Sequence, residues 1–455
     1  MAAPLLFRST NGLNSDYTLG QALLTGMAPD RGLFMPVEFP SLDRATLTGL
    51  VGKSYPDVAH AVLSRYTKGQ FDSDEMRAVC ADAYDFDVPI EPVHSRRHLL
   101  RLDQGPTASF KDFAARMMGR WIGRLVAPGE APLVILTATS GDTGSAVAQA
   151  FAGVPGTEVM VLFPRDEVSD RQRKQMTTIG GNVTTLAVDG KFDDCQALVK
   201  RAFSDSDLSA IRFTSANSIN IGRLLPQSVY YVYAYLQLAD VAAGERVIFS
   251  VPSGNFGDLC GGLLAHQAGL PVERFVVATN ANDEVPVFFE TQHYDKIEPS
   301  KTCLSNAMNV GHPSNLARLV HLYGGHMDEV GTLHRLPDMN RIQRDLWAVS
   351  VSDDETRQCI ANTWRDHGVL LEPHGAVGWA ALEQFFATEA VPADTLAIAL
   401  ETAHPAKFPE AVREATGVDP AVPPSLSSVE KLPESFDEMG VSYPAFRDLL
   451  IRTYR

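Results

Sequence analysis

The 455-residue sequence has few cysteines and no long apolar run, and each shortage argues against a class of protein. Its five cysteines are odd in number and widely scattered, and none forms a C-x-x-C pair. This pattern indicates neither a disulfide framework nor a zinc site. No apolar stretch reaches the roughly 18 residues that a membrane-spanning helix needs. We therefore expect no metal site and no membrane partner.

Basic residues are also scarce, at 39 Lys and Arg against 55 Asp and Glu, for a net charge of −16. A surface this acidic repels nucleic-acid phosphates and anionic lipids, so we expect no nucleic-acid partner. A local group of donors can still bind an anionic substrate. The opening residues MAAPLLFRST lack the basic-then-apolar pattern of a signal peptide, and we expect a cytoplasmic location.

Two nucleotide-binding motifs are missing as well. Neither G-x-x-x-x-G-K-[ST] nor G-x-G-x-x-G occurs, so a nucleoside triphosphate or a dinucleotide is not indicated. There is no internal repeat and no low-complexity tract. Hydrophobic residues make up 45% and charged residues 21%, which is typical of a globular protein of two to four compact units.

From about residue 132, short apolar segments alternate with helix-like segments. LVILTAT, EVMVLFP, NVTTLAVDG, RVIFSVP, RFVVATN and TLAIALE are predicted strands, and each is followed by a helix or a turn. This alternation predicts an α/β fold with parallel sheets covered by helices on both faces. Ligands in such sheets bind beyond the carboxyl ends of the strands. The first 95 residues are predicted to be helical, with a clear helical period over 57–66.

Three glycine-containing segments stand at such positions: GPTASFKDFA (105–114), TSGDTGSA (139–146) and PSGNFGDL (252–259). PSGNFG follows a strand and precedes a helix, so its backbone N–H groups can face an anion at the helix start, and a phosphate is the natural guest. The alternative is a plain strand-to-helix turn.

TSGDTG is a second turn of this kind, and its Ser140 and Thr143 hydroxyls suit a carboxylate or another small anion. Asp142 discourages an anion there unless a neighbour neutralises it, so its carboxylate is a candidate for a hydrogen bond with a hydroxyl or a cation. The alternative is a helix cap.

Lys111 follows Phe110 and precedes an apolar helix face in SFKDFAARMMGRWIG. Apolar surroundings disfavour the charged form of a lysine and lower its pKa, which makes its amine a candidate for Schiff-base formation. The alternative is an exposed lysine paired with Asp112.

These segments resemble the threonine synthases. GPTASFKDFA is similar to the segment that carries the pyridoxal-5′-phosphate (PLP) lysine in that family, and TATSGDTGSAVAQAFAG is similar to its second signature. Further matching segments follow in the same order: SANSINIGRLLPQ, VPSGNFGDLCGGLLA, TNANDEVP, LSNAMNVGHPSN, EPHGAVGWAAL and ETAHPAKFPEAV. With the early DRGLFMP, the resemblance runs from about residue 17 to about residue 415.

The resemblance implies a role for individual residues. Lys111 would hold PLP as a Schiff base and act as the catalytic base, and Thr402 would face the pyridine nitrogen. The cofactor phosphate would lie in a cradle formed by Gly254, Asn255, Phe256, Gly257 and Asp258. The substrate carboxylate and the cofactor's 3-hydroxyl would be surrounded by Ser140, Asp142 and Thr143. The substrate's own phosphate would be bound by Asn217, Ser218 and Arg223.

It also implies a fold and a reaction. The fold would be PLP fold type II, similar to the tryptophan synthase β chain, with a helical N-terminal extension. The reaction would be the lyase reaction that converts O-phospho-L-homoserine and water to L-threonine and phosphate. The expected domains are 1–95 (N-terminal, helical), 96–152 with 225–415 (large, PLP-binding), 153–224 (small, mobile) and 416–455 (tail and helix).

Alternatives remain within and outside this fold: a paralogue for another phosphorylated or phosphonate amino acid, a PLP-dependent dehydratase, or a silent binding protein. Gln104 stands where many members have histidine, and DQGPTAS differs from the commoner HGPTLA, which bears on substrate choice. His374 and His404 are expected to be loop histidines bonded to the backbone. Lys407 is expected to contact phosphate or to start a helix and is left out of the site.

Overall fold

The computed structural model describes residues 3–455. Residues 1 and 2, which belong to the expected N-terminal domain and to the segment considered as a signal peptide, lie outside the described residues. The strands are β1 (Leu6–Ser9), β2 (Tyr17–Thr18), β3 (Phe34–Pro36), β4 (Ile90–His94), β5 (Arg97–Arg101), β6 (Leu133–Ala138), β7 (Thr157–Pro164), β8 (Val183–Asp189), β9 (Arg212–Thr214), β10 (Val247–Pro252), β11 (Val272–Thr279), β12 (His326–Met327), β13 (Leu333–Arg335), β14 (Leu346–Ser350), β15 (Ala397–Glu401) and β16 (Asp437–Gly440).

Helices cover the sheets and build the N-terminal region. They are α1 (Leu19–Thr25), α2 (Arg44–Leu50), α3 (Tyr55–Tyr66), α4 (Ser73–Ala83), α5 (Lys111–Leu125), α6 (Asp142–Phe151), α7 (Asp170–Thr177), α8 (Phe192–Ser204), α9 (Ser228–Leu238), α10 (Gly257–Gln267), α11 (Glu284–Thr291), α12 (Leu316–Leu322), α13 (Met339–Asp345), α14 (Asp353–His367), α15 (Pro373–Thr388), α16 (Pro409–Thr416), α17 (Pro424–Ser427) and α18 (Tyr443–Tyr454). Short 3-10 helices include Ile221–Arg223, Asn306–Met308 and Pro405–Lys407.

The larger sheet has six strands in the order β14-β11-β10-β15-β5-β4. The first five are parallel, and β4 is antiparallel to β5 at the edge. Every residue of β10 and β15 is buried, as the uninterrupted apolar runs predict for central strands covered on both faces. The predicted parallel, helix-covered sheet is confirmed.

The smaller sheet has five parallel strands in the order β16-β8-β7-β6-β9. Leu133 of β6 is in register with Thr157 of β7 on one side and with Arg212 of β9 on the other. We expected residues 133–152 in the large domain, with a boundary after residue 152. The sheet instead joins these residues to the segment 153–224. The apolar sequence of a strand such as β6 does not show which sheet the strand joins. The sequence of β6 therefore could not locate the domain boundary.

The last 40 residues are not a separate tail. β16 pairs with β8, and α18 packs on the small sheet through the buried side chains of Tyr443, Phe446 and Leu450. The sequence gives little sign of this strand because β16 (DEMG) is polar and mostly exposed.

The N-terminal region is mixed rather than helical. α3 is confirmed over the predicted helical stretch, but β2-β1-β3 form a small antiparallel sheet, and β4 joins the large sheet. Strands of two to four residues are too short for an alternating pattern to show.

Two searches of residues 3–455 bear on possible partners. Among these residues, none of the helices has the length and apolar character to cross a membrane. The same residues contain no group of three or more His, Cys, Asp and Glu side chains that could hold a metal ion.

Candidate active site

One cavity between the two sheets collects the predicted site residues. The carboxyl ends of β6, β10 and β15 and the start of α5 all open into it. Its lining includes every one of them: Lys111, Ser140, Asp142, Thr143, Asn217, Ser218, Arg223, Gly254, Asn255, Phe256, Gly257, Asp258 and Thr402. Ligands of parallel α/β sheets bind at this edge, so the position agrees with the fold.

Lys111 is the first residue of α5, with its Nζ 4.7 Å from the centre of the Phe110 ring. Burial lowers the pKa of Lys111 and outweighs the attraction of Asp142, and the charge of Lys407 lowers it further. Pairing with Asp112 is excluded, because that buried carboxylate accepts the N–H of Thr107 at 2.8 Å and its hydroxyl at 2.6 Å. The amine of Lys111 is therefore available to a carbonyl in the cavity.

The loop Gly254–Gly257 joins β10 to α10 and fits a phosphate group. A Cβ on Gly254 would lie 2.8 Å from Met308 Cα and 2.9 Å from Ala307 O, so only glycine is accommodated there. Phe256 is left-handed at φ 60°, which turns the chain into the first turn of α10. The amides at this helix start then face the cavity, where the helix dipole favours an anion.

Asp258 sits in the first turn of α10, but its side chain is held by two tyrosines. Its Oδ1 accepts the hydroxyls of Tyr230 at 2.5 Å and Tyr231 at 2.7 Å. Burial raises the pKa of Asp258 to about 6 and outweighs these two donors, which lower it. One carboxylate oxygen is thus held by protein hydroxyls, while Oδ2 is buried and has no hydrogen-bond partner among the described residues.

Arg223 supplies a buried positive charge to the cavity. One Nη donates to Ala216 O, while Nε has no hydrogen-bond partner among the described residues. Burial lowers the pKa of Arg223 to about 10, so the guanidinium stays charged at neutral pH. A buried, charged N–H without a partner is the feature expected of a group that binds an anion.

Asn217 and Ser218 lie between Arg223 and the glycine loop. Asn217 Nδ2 donates to Ala138 O at 2.9 Å. Asn315 Nδ2 donates both to Ser218 Oγ at 3.0 Å and to Asn255 O at 2.9 Å, and so joins the two predicted anion-binding segments. Asn315 does not line the cavity, but it holds two residues that do. The sequence analysis did not name Asn315 as a site residue, although it lies in the matching segment LSNAMNVGHPSN.

Asp142 begins α6, and its Oδ1 accepts Lys407 Nζ at 2.6 Å and Gln172 Nε2 at 2.8 Å. Burial raises the pKa of Asp142, but Lys407, then Lys111 and the hydrogen bonds, hold it well below its usual range. The neutralising neighbour that this turn requires is therefore Lys407. The sequence interpretation left Lys407 out, although the buried charge of Asp142 was the signal that called for a cation.

Thr402 closes the cavity at the end of β15. Its carbonyl accepts the N–H of Phe110 at 2.9 Å, and its Oγ1 lies 3.5 Å from Glu372 Oε1. The backbone contact joins Thr402 to the residue before Lys111, and both Thr402 and Lys111 line the cavity. Glu372, buried at the start of α15, is a second residue that the sequence interpretation missed.

Both histidines accept a backbone N–H, as predicted, but His374 lies in the first turn of α15 and not in a loop. His374 Nδ1 donates to Glu372 Oε2 at 2.5 Å, which leaves Nε2 to accept the N–H of Ala307 at 3.1 Å. His404 Nδ1 accepts the N–H of Ala406 at 3.1 Å. Of these two, only His374 lines the cavity.

Gln104 lies outside the lining of the cavity. Its exposed side chain donates to Asp103 Oδ1 at 2.7 Å. The exchange of histidine for glutamine therefore alters a solvent-facing position near the lysine segment.

Family models match nearly the whole chain. The model described as a pyridoxal-phosphate dependent enzyme matches residues 98–401, that for the threonine synthase N terminus matches residues 6–84, and that for the threonine synthase C-terminal region matches residues 375–449. A threonine synthase from Serratia marcescens is 37% identical over 439 residues, which cover 96% of this chain and 97% of the relative.

Solved structures agree. The PLP-bound threonine synthase from Brucella melitensis has a TM-score of 0.91 at 34% identity, covering 99% of this chain and 100% of that one. The Escherichia coli threonine synthase has a TM-score of 0.88 at 36% identity, covering 98% and 100%. The predicted fold type II and the predicted cofactor, PLP, are confirmed. The chain belongs to the threonine synthase family of pyridoxal-phosphate-dependent enzymes, as its motifs indicate.

Proposed function

We propose that this protein converts O-phospho-L-homoserine and water to L-threonine and phosphate in the cytoplasm. The observation that carries the proposal is a second anion site, built around Arg223, beside the loop that fits the cofactor phosphate. A substrate with its own phosphate uses both sites, whereas an unphosphorylated one leaves the buried charge of Arg223 without a partner. The five unpaired cysteines agree with a reducing compartment.

PLP, when bound, supplies the electron sink that stabilises negative charge at the substrate's α-carbon. Lys111 is the residue that would hold it, with the amides of Gly254–Gly257 on its phosphate and Thr402 near its ring nitrogen. The Nζ of Lys111, when it is not bonded to the cofactor, would be the base that takes the α-proton and then serves the β-carbon. Burial lowers the pKa of Lys111, which favours the neutral amine, the form that accepts a proton.

Arg223 would assist departure of the substrate's phosphate. As charge develops on the leaving oxygen, the unpartnered Nε–H can donate to it, and the fixed positive charge stabilises it. Asn217 and Ser218 would add neutral donors on the side that faces the glycine loop. Because these groups are held by protein contacts before the substrate binds, they need no rearrangement during the reaction.

The turn before α6 would hold the substrate carboxylate through Ser140 and Thr143. Asp142 in the same turn is neutralised by Lys407, so its charge does not repel that carboxylate. Its role is then to accept a hydrogen bond from a hydroxyl or an ammonium group.

We also propose that the small sheet and its helices move as one unit over the cavity. The cavity is lined on one side by the turn after β6, on the small sheet, and on the other by the loops after β10 and β15. Movement of either sheet would change the distance between the two groups of site residues.

The direct test incubates the purified, PLP-loaded protein with O-phospho-L-homoserine and measures threonine and phosphate in the same sample. We expect the two products in equal amounts, and neither above background with Lys111→Ala. Phosphate without threonine would contradict the proposal and indicate elimination alone. Conversion of threonine to a keto acid, with no use of the phosphorylated substrate, would indicate a dehydratase.

A further inference from the structure

Lys407 is a charged side chain with no access to solvent. It ends the 3-10 helix after β15, and its side chain is 0% exposed. Its Nζ donates to Asp142 Oδ1 at 2.6 Å and to Thr107 O at 2.9 Å. A buried ammonium group is tolerated only when it is paired in this way, so the position of Lys407 depends on Asp142.

Within residues 3–455, only one carboxylate oxygen of Asp142, Oδ1, is bonded to protein groups. Its Oδ1 accepts both Lys407 and Gln172, while Oδ2 accepts no hydrogen bond from the described residues and belongs to a residue that lines the cavity. Gln172 is itself fixed, because its Oε1 accepts the N–H of Ser169 at the start of α7. The carboxylate therefore has a fixed direction, with one oxygen left for a ligand.

We propose that Lys407 is a positioning residue for the reaction: it neutralises Asp142 and aims its free oxygen into the cavity, so that the turn 139–143 can accept an anionic substrate. The inference rests on the proposed function, which supplies a substrate with a carboxylate. In this proposal Lys407 does not contact the substrate. The charge of Lys407 acts through Asp142 and on the nitrogen of Lys111.

The charged groups around Lys111 show how that action works. They come from five different segments and are Asp142, Lys407, Arg223, Glu372 and Asp258. With Lys407 present, Asp142 is already paired. Without it, Lys111 is the remaining cation that acts on Asp142, and the charged form of its nitrogen would be favoured.

The test compares Lys407→Met with the double variant Asp142→Asn/Lys407→Met, in which both charges are absent. Lys68→Met, an exposed lysine outside the cavity, is the matched control. The first measurement is the pH midpoint of the cofactor's visible absorption change in the substrate-free holoenzyme. The second is KM for O-phospho-L-homoserine.

We expect Lys407→Met to raise the pH midpoint by about one unit or more, because the unpaired negative charge of Asp142 would favour the protonated form of the Schiff base between Lys111 and the cofactor. We expect its KM to rise by about 10-fold or more. The double variant should return the midpoint to the wild-type value, since the net charge of the pair is again zero. Lys68→Met should match the wild type in both measurements.

A folded Lys407→Met holoenzyme with an unchanged midpoint would overturn the proposal, and so would a double variant as perturbed as the single one. If the single variant does not fold, the double variant decides. A folded double variant with a wild-type midpoint supports neutralisation, and loss of folding in both makes Lys407 a structural residue only. The titration needs no substrate, so a wild-type protein that makes no threonine would refute the proposed function and leave this test intact.

Discussion

Side chains at the active site carry their charges in two different ways. Asp142 and Lys407 satisfy each other inside the protein, at a distance of 2.6 Å. Arg223 is equally buried but keeps one N–H without a partner. Leaving a buried charged donor unsatisfied costs stability, and a bound anion removes that cost. The difference agrees with the two roles that we propose, a positioning role for Lys407 and an anion-binding role for Arg223.

Arg223→Ala should therefore weaken use of the phosphorylated substrate far more than it weakens retention of PLP. Loss of a charge-assisted contact predicts a fall in kcat/KM of about 10- to 150-fold. Steady-state kinetics and the PLP content of the purified variant measure the two effects. Arg165→Ala, a partly exposed arginine outside the cavity, is the control. A variant that loses PLP but handles substrate normally would show that the two anion sites have been exchanged.

Glu284 gives a prediction about pH and stability. Burial raises the pKa of Glu284 to about 7 from an ordinary 4.5, and its Oε2 has no partner among the described residues. The folded state therefore holds a proton that the unfolded state releases, and the stabilisation from this proton is complete below pH 4.5 and is lost as the pH rises through 7. Glu284→Gln should be more stable than the wild type at pH 8 by about 2–3 kcal/mol, and similar to it at pH 4.5.

Denaturant unfolding at the two pH values measures this difference. Asp295→Asn, which removes an exposed carboxylate, is the control and should show little change. Equal stabilisation of Glu284→Gln at both pH values would rule out titration of Glu284 as the cause.

The motif residues that the sequence analysis assigned to the site could be named because the resemblance gives each one a role, and the structure brings all of them to one cavity. Lys407, Asn315 and Glu372 also lie in matching segments, but the sequence analysis assigned no site role to them. Their contacts join segments far apart in the chain, such as Lys407 with Asp142. A sequence shows which residues carry charge, but it does not show which distant charge each one meets.

At the scale of single elements, the start of α10 is the feature that we propose to bind the cofactor phosphate. The loop before it has no room for a side chain at Gly254. The predicted strand–turn–helix order at this point is confirmed by β10 and α10. Buried strands and helices such as these could be predicted because their apolar runs extend over many residues between turn residues. The strands β1–β3 and β16 could not, because they are short or polar.

Gly254→Ala should weaken PLP binding by about 10-fold or more, since the new methyl group meets backbone atoms of 307 and 308 that cannot move aside easily. Titration of the apoprotein with PLP, followed by visible absorption, measures the effect. Gly49→Ala adds the same group on an exposed turn of α2 where nothing lies within 4 Å, and it should leave PLP binding unchanged. PLP binding by Gly254→Ala equal to that of the wild type would remove this loop from the cofactor site.

The whole molecule is organised by two parallel sheets with a cavity between them. The chain crosses from one sheet to the other several times, and its last residues return to the small sheet through β16 and α18. Domain boundaries could not be predicted well for this reason, since they depend on which strands pair and not on local composition. The small unit is better described as residues 133–214 completed by residues 437–454.

Phe446→Ala tests this description. Phe446 is fully buried between α18 and the small sheet, and its truncation should cost about 3–5 kcal/mol of folding stability. Arg452→Ala, on the exposed side of the same helix, should cost little. Denaturant unfolding compares the two variants. A similar small loss in both would show that the C-terminal helix is not part of the small unit.

We propose that the site as a whole removes phosphate from the γ-carbon of the substrate and adds water at the β-carbon. Reaction in water labelled with heavy oxygen, with mass analysis of both products, tests it most directly. We predict one labelled oxygen in the hydroxyl of threonine and none in the phosphate. The reason is that the bond between the γ-carbon and the phosphate oxygen breaks, so the phosphate keeps the oxygen of the substrate. Label in the phosphate, with homoserine as the other product, would show simple hydrolysis and contradict the account.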